Sequence, residues 1–307
     1  MPNTKELNNK LKNYQSTKKI TSAQKLVAAS KLRRAQEAIE RTRPYRAELT
    51  GLLADLQSSL AGADPSISPW LSPREIRHVS IVVFTSDKGL CGSFNHGLSR
   101  TLEKAIGLRA NDLAPSDDFF ALSEMVGKGV DFTIHFAGKK GFESMHNHLP
   151  AQKLGDLFKG VTARPSFAES RKISSRLIDD YLTSKTDAIF LAVNHFVSPL
   201  TQVPQLIRVF PSVPDAAGTK TKSVLFDPDA ATVFSSLVPQ SIRFLVLNAL
   251  LENAAGEHGA RMTAMDNATR NAKEMIEKTT LLRNRVRQAN ITKELTEIIS
   301  GAESIKS

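Results

Sequence analysis

The chain has 307 residues, 41% hydrophobic and 23% charged, which excludes a collagen-like or mostly disordered protein. Aromatic residues reach only 6%, with one Trp and three Tyr, which weighs against a base-stacking platform. The single cysteine, Cys91, excludes an intrachain disulfide and a cysteine-based zinc site. No apolar run approaches the ~20 residues of a membrane helix, and the first residues lack the apolar core of a secretory signal.

The net charge is +10, and its placement matters more than its size. Residues 1–34 hold nine Lys and Arg against one acid, Glu6, so nearly the whole excess lies there. Such a stretch seeks an acidic partner: nucleic acid, anionic lipid or an acidic protein surface. A solvated helix face is the plain alternative.

Residues 1–60 are rich in Lys, Ala, Leu, Gln, Glu and Arg and read as a single helix. At about 1.5 Å per residue it would run about 85 Å, far beyond a typical globular helix, which points to a coiled coil or shaft. Apolar or small residues recur at Leu7, Leu11, Tyr14, then Ile20, Ala23, Val27, Ser30, then Tyr45, Leu49, Leu52 and Leu56. Gly62-Ala63-Asp64-Pro65 and the Pro-rich stretch from Ser68 to Pro73 end it.

Residues 75–212 alternate strand and helix patterns. Strands are expected at Arg77 to Thr85, Val130 to Ala137, Ala188 to Val193 and, more weakly, Gln205 to Phe210. Helices are expected around Leu98 to Leu108, Gly141 to Asn147 and Ser166 to Ser184, with residues 109–126 as a loop-bearing insertion. That alternation implies a parallel α/β sheet. Residues 229–307 are helical again. From Met265 a 3,4 repeat runs through Ala268, Ala272, Met275, Thr279, Leu282, Val286 and Ala289, a seam of small residues that allows close helix approach. Ile291, Leu295, Ile298 and Ile299 leave that seam and form a short apolar tip. The expected fold is α/β: a long antiparallel coiled coil of the terminal helices carrying an inserted Rossmann-like parallel α/β domain.

The motifs carry little chemistry. Ser86-Asp87-Lys88-Gly89-Leu90-Cys91-Gly92 is a glycine-bearing strand-to-helix turn of the kind that can cradle a phosphate, yet it fits neither G-x-G-x-x-G nor a P-loop. Gly138-Lys139-Lys140-Gly141 is not a P-loop either. Cys91 lacks a triad and reads as packed or contact-facing. The seven histidines form no metal-type constellation; His146 and His148, two apart, diverge on a helix. Asp227 and Asp229 flank Pro228 and could pair as carboxylates, but a helix-start cap is the stronger reading.

Four segments stand in order along the chain: Ile20 to Lys31, Thr85 to Gly92, Ala260-Arg261-Met262-Thr263-Ala264-Met265-Asp266-Asn267-Ala268, and Arg287 to Ala302. Together they resemble the gamma-subunit family of the rotary ATP synthase. Met262 to Glu277 is most similar to mitochondrial and related bacterial members. The dithiol insertion of chloroplast members is absent, and residues 109–125 and 213–223 depart from the pattern. The resemblance implies a non-catalytic rotor shaft, without cofactor or metal, turning inside three alpha and three beta subunits. Its base would bind the c-subunit ring and epsilon-type and delta-type stalk subunits, with no nucleic acid and no direct membrane insertion. By position, Arg287, Gln288, Thr292 and Glu294 would meet a beta-subunit catch loop. Ile291, Leu295, Ile298 and Ile299 would form an apical bearing. Lys88, Leu90 and Cys91 would meet a beta lever loop. Lys18, Lys19, Lys25, Lys31, Arg33 and Arg34 would form a basic shaft face, and Phe226, Asp227 and Asp229 the foot on the c ring and epsilon-type subunit. The implied place is the matrix side of the mitochondrial inner membrane, or the cytoplasmic face of a bacterial plasma membrane.

Two other classes compete. A basic coiled-coil nucleic-acid-binding protein would share the charge, but aromatic interleaving is lacking. A nucleotide-dependent α/β enzyme would need a phosphate loop.

Overall fold

A computed structural model describes residues 3–60, 68–71, 74–108, 117–211, 226–227 and 229–306. The elements run α1 (Thr4–Ser59), β1 (His78–Phe84), α2 (Phe94–Ala105), α3 (Asp117–Gly127), β2 (Asp131–Ala137), α4 (Lys139–Met145), β3 (Leu154–Phe158), α5 (Phe167–Leu182), β4 (Ala188–Phe196), β5 (Gln202–Phe210) and α6 (Ala230–Lys306). They group into two units. One is Ala29–Ala260; the other combines Met1–Ala28 with Arg261–Ser307.

In the larger unit the sheet has the order β3-β2-β1-β4-β5. β1 pairs in parallel with β2 and β4, and β2 with β3. β1 is apolar on both faces because a parallel strand is covered on both sides. Val82 and Phe84 enter a cluster with α6 residues such as Val238, Ile242, Val246 and Leu250. Val79, Ile81 and Val83 enter a second cluster with Leu98 and Leu102 of α2.

Four expectations change. β3 has no counterpart among the expected strands. In this strand Gly155 lies against the ring of His135, where an added Cβ would stand 2.6 Å from Nδ1, so only glycine fits the approach. β5 runs antiparallel to β4, since the turn between them is too short for a crossover. Within the supposed loop insertion, Asp117–Gly127 is helical, burying Phe119 and Leu122; residues 109–116 lie outside the described residues. Finally, α6 does contain an 18-residue stretch of mean hydropathy 1.4, long and apolar enough by composition to cross a membrane. Polar residues interrupt it, so a search for unbroken runs passes over it. The nearby α6 residues Phe234, Val238, Ile242 and Val246 lie in the core beneath the sheet.

In the smaller unit α1 and α6 run antiparallel. Lys25 Nζ lies 2.6 Å from Asp266 Oδ1, and Thr269 Oγ1 donates to Thr21 Oγ1 at 2.7 Å, so a step down one helix is a step up the other. Leu7, Leu11, Thr21 and Ala28 of α1 are buried, as are Met265, Ala272 and Val286 of α6. The expected register is therefore wrong in the middle of α1. Ile20 and Val27 are 55% and 57% exposed, and the true seam is one residue on. The heptad that starts at Leu7 and Leu11 continues through buried Thr21, half-buried Lys25 and buried Ala28, and the polarity of Thr21 and Lys25 hides it. In α6, Leu282 and Ala289 likewise face outward while Val286 is buried.

His135 gives a test of the sheet packing. It is buried, its Nδ1 accepts from the Asp156 N–H at 3.0 Å, and burial pushes its pKa below 6.5. A depressed histidine stabilises the fold above its unfolded pKa, and that stability is lost as pH falls toward the folded one. Denaturant unfolding should therefore show a decline below about pH 6.5. A His135→Met variant should lose that part of the slope.

Candidate functional site

The strand order reverses beside β1, between the connections to β2 and to β4. In open α/β sheets this C-terminal edge is where ligands bind. Here the chain fills it. Asn253 Nδ2 of α6 donates to the Thr85 carbonyl at 3.2 Å, and Asn194 Nδ2 donates to the Phe94 carbonyl at 2.9 Å. Asp87 accepts from the Lys139 N–H (3.1 Å), the Gly160 N–H (3.1 Å) and Thr162 Oγ1 (2.9 Å). These are donors that a bound phosphate would require, and a side-chain carboxylate already holds them. Ser86 closes the turn: its N–H donates to Asn95 Oδ1 at 2.8 Å and its Oγ to the Lys88 carbonyl at 2.6 Å. The glycine-bearing loop is thus a rigid knob rather than a cradle.

Of the three knob residues singled out, Lys88 and Leu90 face outward. Leu90 is 65% exposed at a φ of 64°, held in the left-handed region that non-glycine residues seldom enter. Cys91 does not join them. It is 2% exposed, and its Sγ accepts from Asn95 Nδ2 at 3.3 Å, so it supports the knob from within.

At the start of α6, Asp229 is a helix cap. Its Oδ1 accepts from the Thr232 N–H at 2.9 Å and its Oδ2 from Thr232 Oγ1 at 2.7 Å. Those bonds, the backbone one foremost, hold its carboxyl below the usual range. Asp227 is exposed and makes no pair with it among the described residues, and Phe226 packs against the core. Ser223 and Pro228 lie outside the described residues, as does the 213–223 stretch.

The basic residues divide by role. In the smaller unit, exposed Lys18 and Lys19 rim a groove of about 600 Å³ with Ala23, Leu26 and Ile276, while Lys25 is tied to Asp266. In the larger unit Lys31, Arg33 and Arg34 are exposed, and Arg33 pairs with Glu37 at 3.1 Å. Arg34 and Arg41 rim a second groove of about 440 Å³ floored by Ala38, Phe167, Leu247 and Leu251. Sequence reasoning missed Leu26 and Arg41. Their signal was present: Leu26 is an apolar residue off the heptad, and Arg41 lies one heptad after Arg34.

Toward the end of α6, Arg287, Gln288, Thr292 and Glu294 are all exposed; Thr292 Oγ1 donates to the Gln288 carbonyl at 3.0 Å. Ile291, Leu295, Ile298 and Ile299 are also exposed, between 50% and 68%, and Ile291, Leu295 and Ile298 share one helical face. Nothing in this arrangement resembles a reaction centre. It is a set of contact surfaces on helices.

Comparison with known proteins gives these surfaces their setting. The family model described as ATP synthase matches residues 3–305. The "ATP synthase gamma chain" of Chelativorans sp. (strain BNC1) is 39% identical over 309 residues, covering 99% of this chain and 100% of the relative. That of Paracoccus denitrificans (strain Pd 1222) is 39% identical over 311 residues, with 99% and 100% covered. Among solved structures, the rotor of the Euglena gracilis mitochondrial ATP synthase aligns with a TM-score of 0.60 at 18% identity, over 94% of this chain and 98% of that one. The central stalk and c ring of the Tetrahymena thermophila mitochondrial enzyme gives 0.57 at 23%, over 81% and 99%. The chain belongs to the gamma-subunit family of ATP synthase. It is a central-stalk subunit and not itself catalytic, and nothing supports the nucleic-acid alternative.

The position of Cys91 gives a prediction. In the native protein it should react with a thiol reagent such as DTNB at least tenfold more slowly than in guanidinium, because the thiolate must be exposed to attack. Saturating ATP should leave the native rate unchanged, since the crevice is already filled.

Proposed function

We propose that the exposed surfaces divide the work of a rotary shaft between a foot, a lever contact, a catch and a bearing. In this reading residues 1–60 and 229–307 form the shaft and residues 75–212 the base domain. The shaft turns within three alpha and three beta subunits. Phe226 and Asp227 stand near the c ring and the epsilon-type subunit, with a delta-type subunit in the same complex. Lys88, Leu90 and the basic residues of α1 face the lever loops of beta subunits. Each beta site meets a different face of the shaft, so each is biased toward a different conformation by differential contact. That several structural neighbours are rotor assemblies supports the head and c-ring partners as a class. In this reading the chain is peripheral to the membrane, on the matrix side of the mitochondrial inner membrane or the cytoplasmic face of a bacterial plasma membrane; its 39%-identical relatives are bacterial and its structural neighbours mitochondrial.

The observation that carries the reading is the contrast along α6. Where Val286 is buried, the helix meets its partner within the chain; from Arg287 onward every described side chain is exposed, apolar ones included. An apolar tip suits a bearing, because apolar contact holds an axis without fixing an angle. Arg287 and Gln288, one turn before it, offer directional bonds that can select an angle.

The test is steady-state ATPase of purified, assembled heads. A charged hydrogen bond contributes about 1.5–3 kcal/mol, so Arg287→Ala with Gln288→Ala should leave assembly intact and slow turnover about tenfold or more. Removing the last ten residues should weaken assembly and leave turnover possible in the heads that form. Turnover equal to wild type in the double variant would remove both residues from the mechanism.

The foot has its own test. Because Asp229 caps α6, reversing its charge would damage the helix start, and Asp227 is the cleaner probe. Asp227→Lys should reduce ATP-driven proton pumping while hydrolysis by the detached head stays at wild-type level. Loss of hydrolysis in that head would contradict the foot assignment.

A further inference from the structure

Asn253 lies fully buried on α6, and it is only half satisfied. Its Nδ2 donates to the Thr85 carbonyl at 3.2 Å, while its Oδ1 has no hydrogen-bond partner among the described residues. A buried amide in this state weakens a fold, and an apolar side chain of similar volume would avoid the loss. The backbone around it approaches the sheet closely. A Cβ added at Gly256 would stand 2.7 Å from the Phe94 ring, and one at Gly259 would stand 3.1 Å from Pro199 Cα. Phe94 is itself held by Asn194. Residues 253 and 256, and then 256 and 259, are three apart and neighbours on the helix surface, so the end of β1, the start of α2 and the β4–β5 turn bear on successive positions of α6.

Earlier along α6 the contacts with the sheet are apolar, from Phe234 to Leu250. Apolar packing is non-directional; beside Asn253, Glu252 of α6 also bonds His195 Nδ1 of β4 at 3.0 Å, at a partly exposed position. The Asn253–Thr85 bond has a direction. A single buried polar residue that fixes register at the expense of stability is the best-attested use of such a group.

We propose that Asn253 is a positioning residue of the rotor. It fixes the rotation of α6 about its axis against the sheet, so that torque entering the base reaches the helix without slip. The inference rests on the central-stalk role and on no contact with another subunit.

The experiment uses the complete membrane-bound complex carrying Asn253→Leu. ATP-driven proton pumping and ATP hydrolysis are measured in the same vesicles, with the amount of assembled complex and its thermal stability. Wild-type or higher stability is expected, with pumping per ATP hydrolysed reduced at least twofold. Asn253→Ser, too short to reach Thr85, should lose coupling to the same extent. An unchanged ratio in either assembled variant overturns the proposal, and so does failure of both variants to assemble, which would make Asn253 a folding residue. Uncoupled turnover in the wild-type vesicles would count instead against the stalk assignment.

Discussion

The packing of α6 against one face of the sheet governs most of what the larger unit can do. Phe234, Val238, Ile242, Val246 and Leu250 form a stripe that meets Val82 and Phe84 of β1 and Ile189, Leu191 and Val193 of β4. Each buried aliphatic or aromatic side chain of this kind contributes about 1.5–3 kcal/mol. The same helix then continues across the C-terminal edge of the strands, where Asn253 reaches Thr85. With that edge occupied by α6 and by Asp87, an architecture that elsewhere accommodates nucleotides becomes a mechanical joint. The chain is a non-catalytic stalk subunit, and most of its candidate contact residues are exposed.

Those exposed residues explain two departures from ordinary patterning. A seam of small and polar residues, Thr21 against Thr269 and Lys25 against Asp266, leaves Ile20, Leu26 and Val27 on the outside of α1. The end of α6 shows its isoleucines and Leu295 in the same way. Contiguous apolar exposure marks an interaction surface.

How much was legible depended on whether the signal was local. β1, β2 and β4 could be read because buried parallel strands are runs of Val, Ile and Phe. β3 could not, because Gly155 is there to accommodate His135 from a neighbouring strand, and no local preference encodes that. Asp229 was legible as a cap from its place before a helix, and the bond to Thr232 agrees. Cys91 and Leu90 are adjacent in sequence yet face opposite ways, one buried and one out, because of a left-handed turn that the sequence does not announce. Asp227 and Asp229 look alike in the sequence, and only the helix start separates them.

The sequence by itself determined the order of the elements other than α3 and β3, the helical character of both ends, the location of the positive charge and the family. Each of these depends on local composition, on periodicity or on motifs in order. The tertiary structure decided which apolar residues face inward, that β5 runs antiparallel, that Asp87 occupies the crevice and that Asn253 joins α6 to β1. The physical reason is that periodicity defines a face but not its partner. Thr21 is buried and Ile20 exposed because of what lies across from them on α6, and that is set by the register between residues some 250 positions apart in the chain.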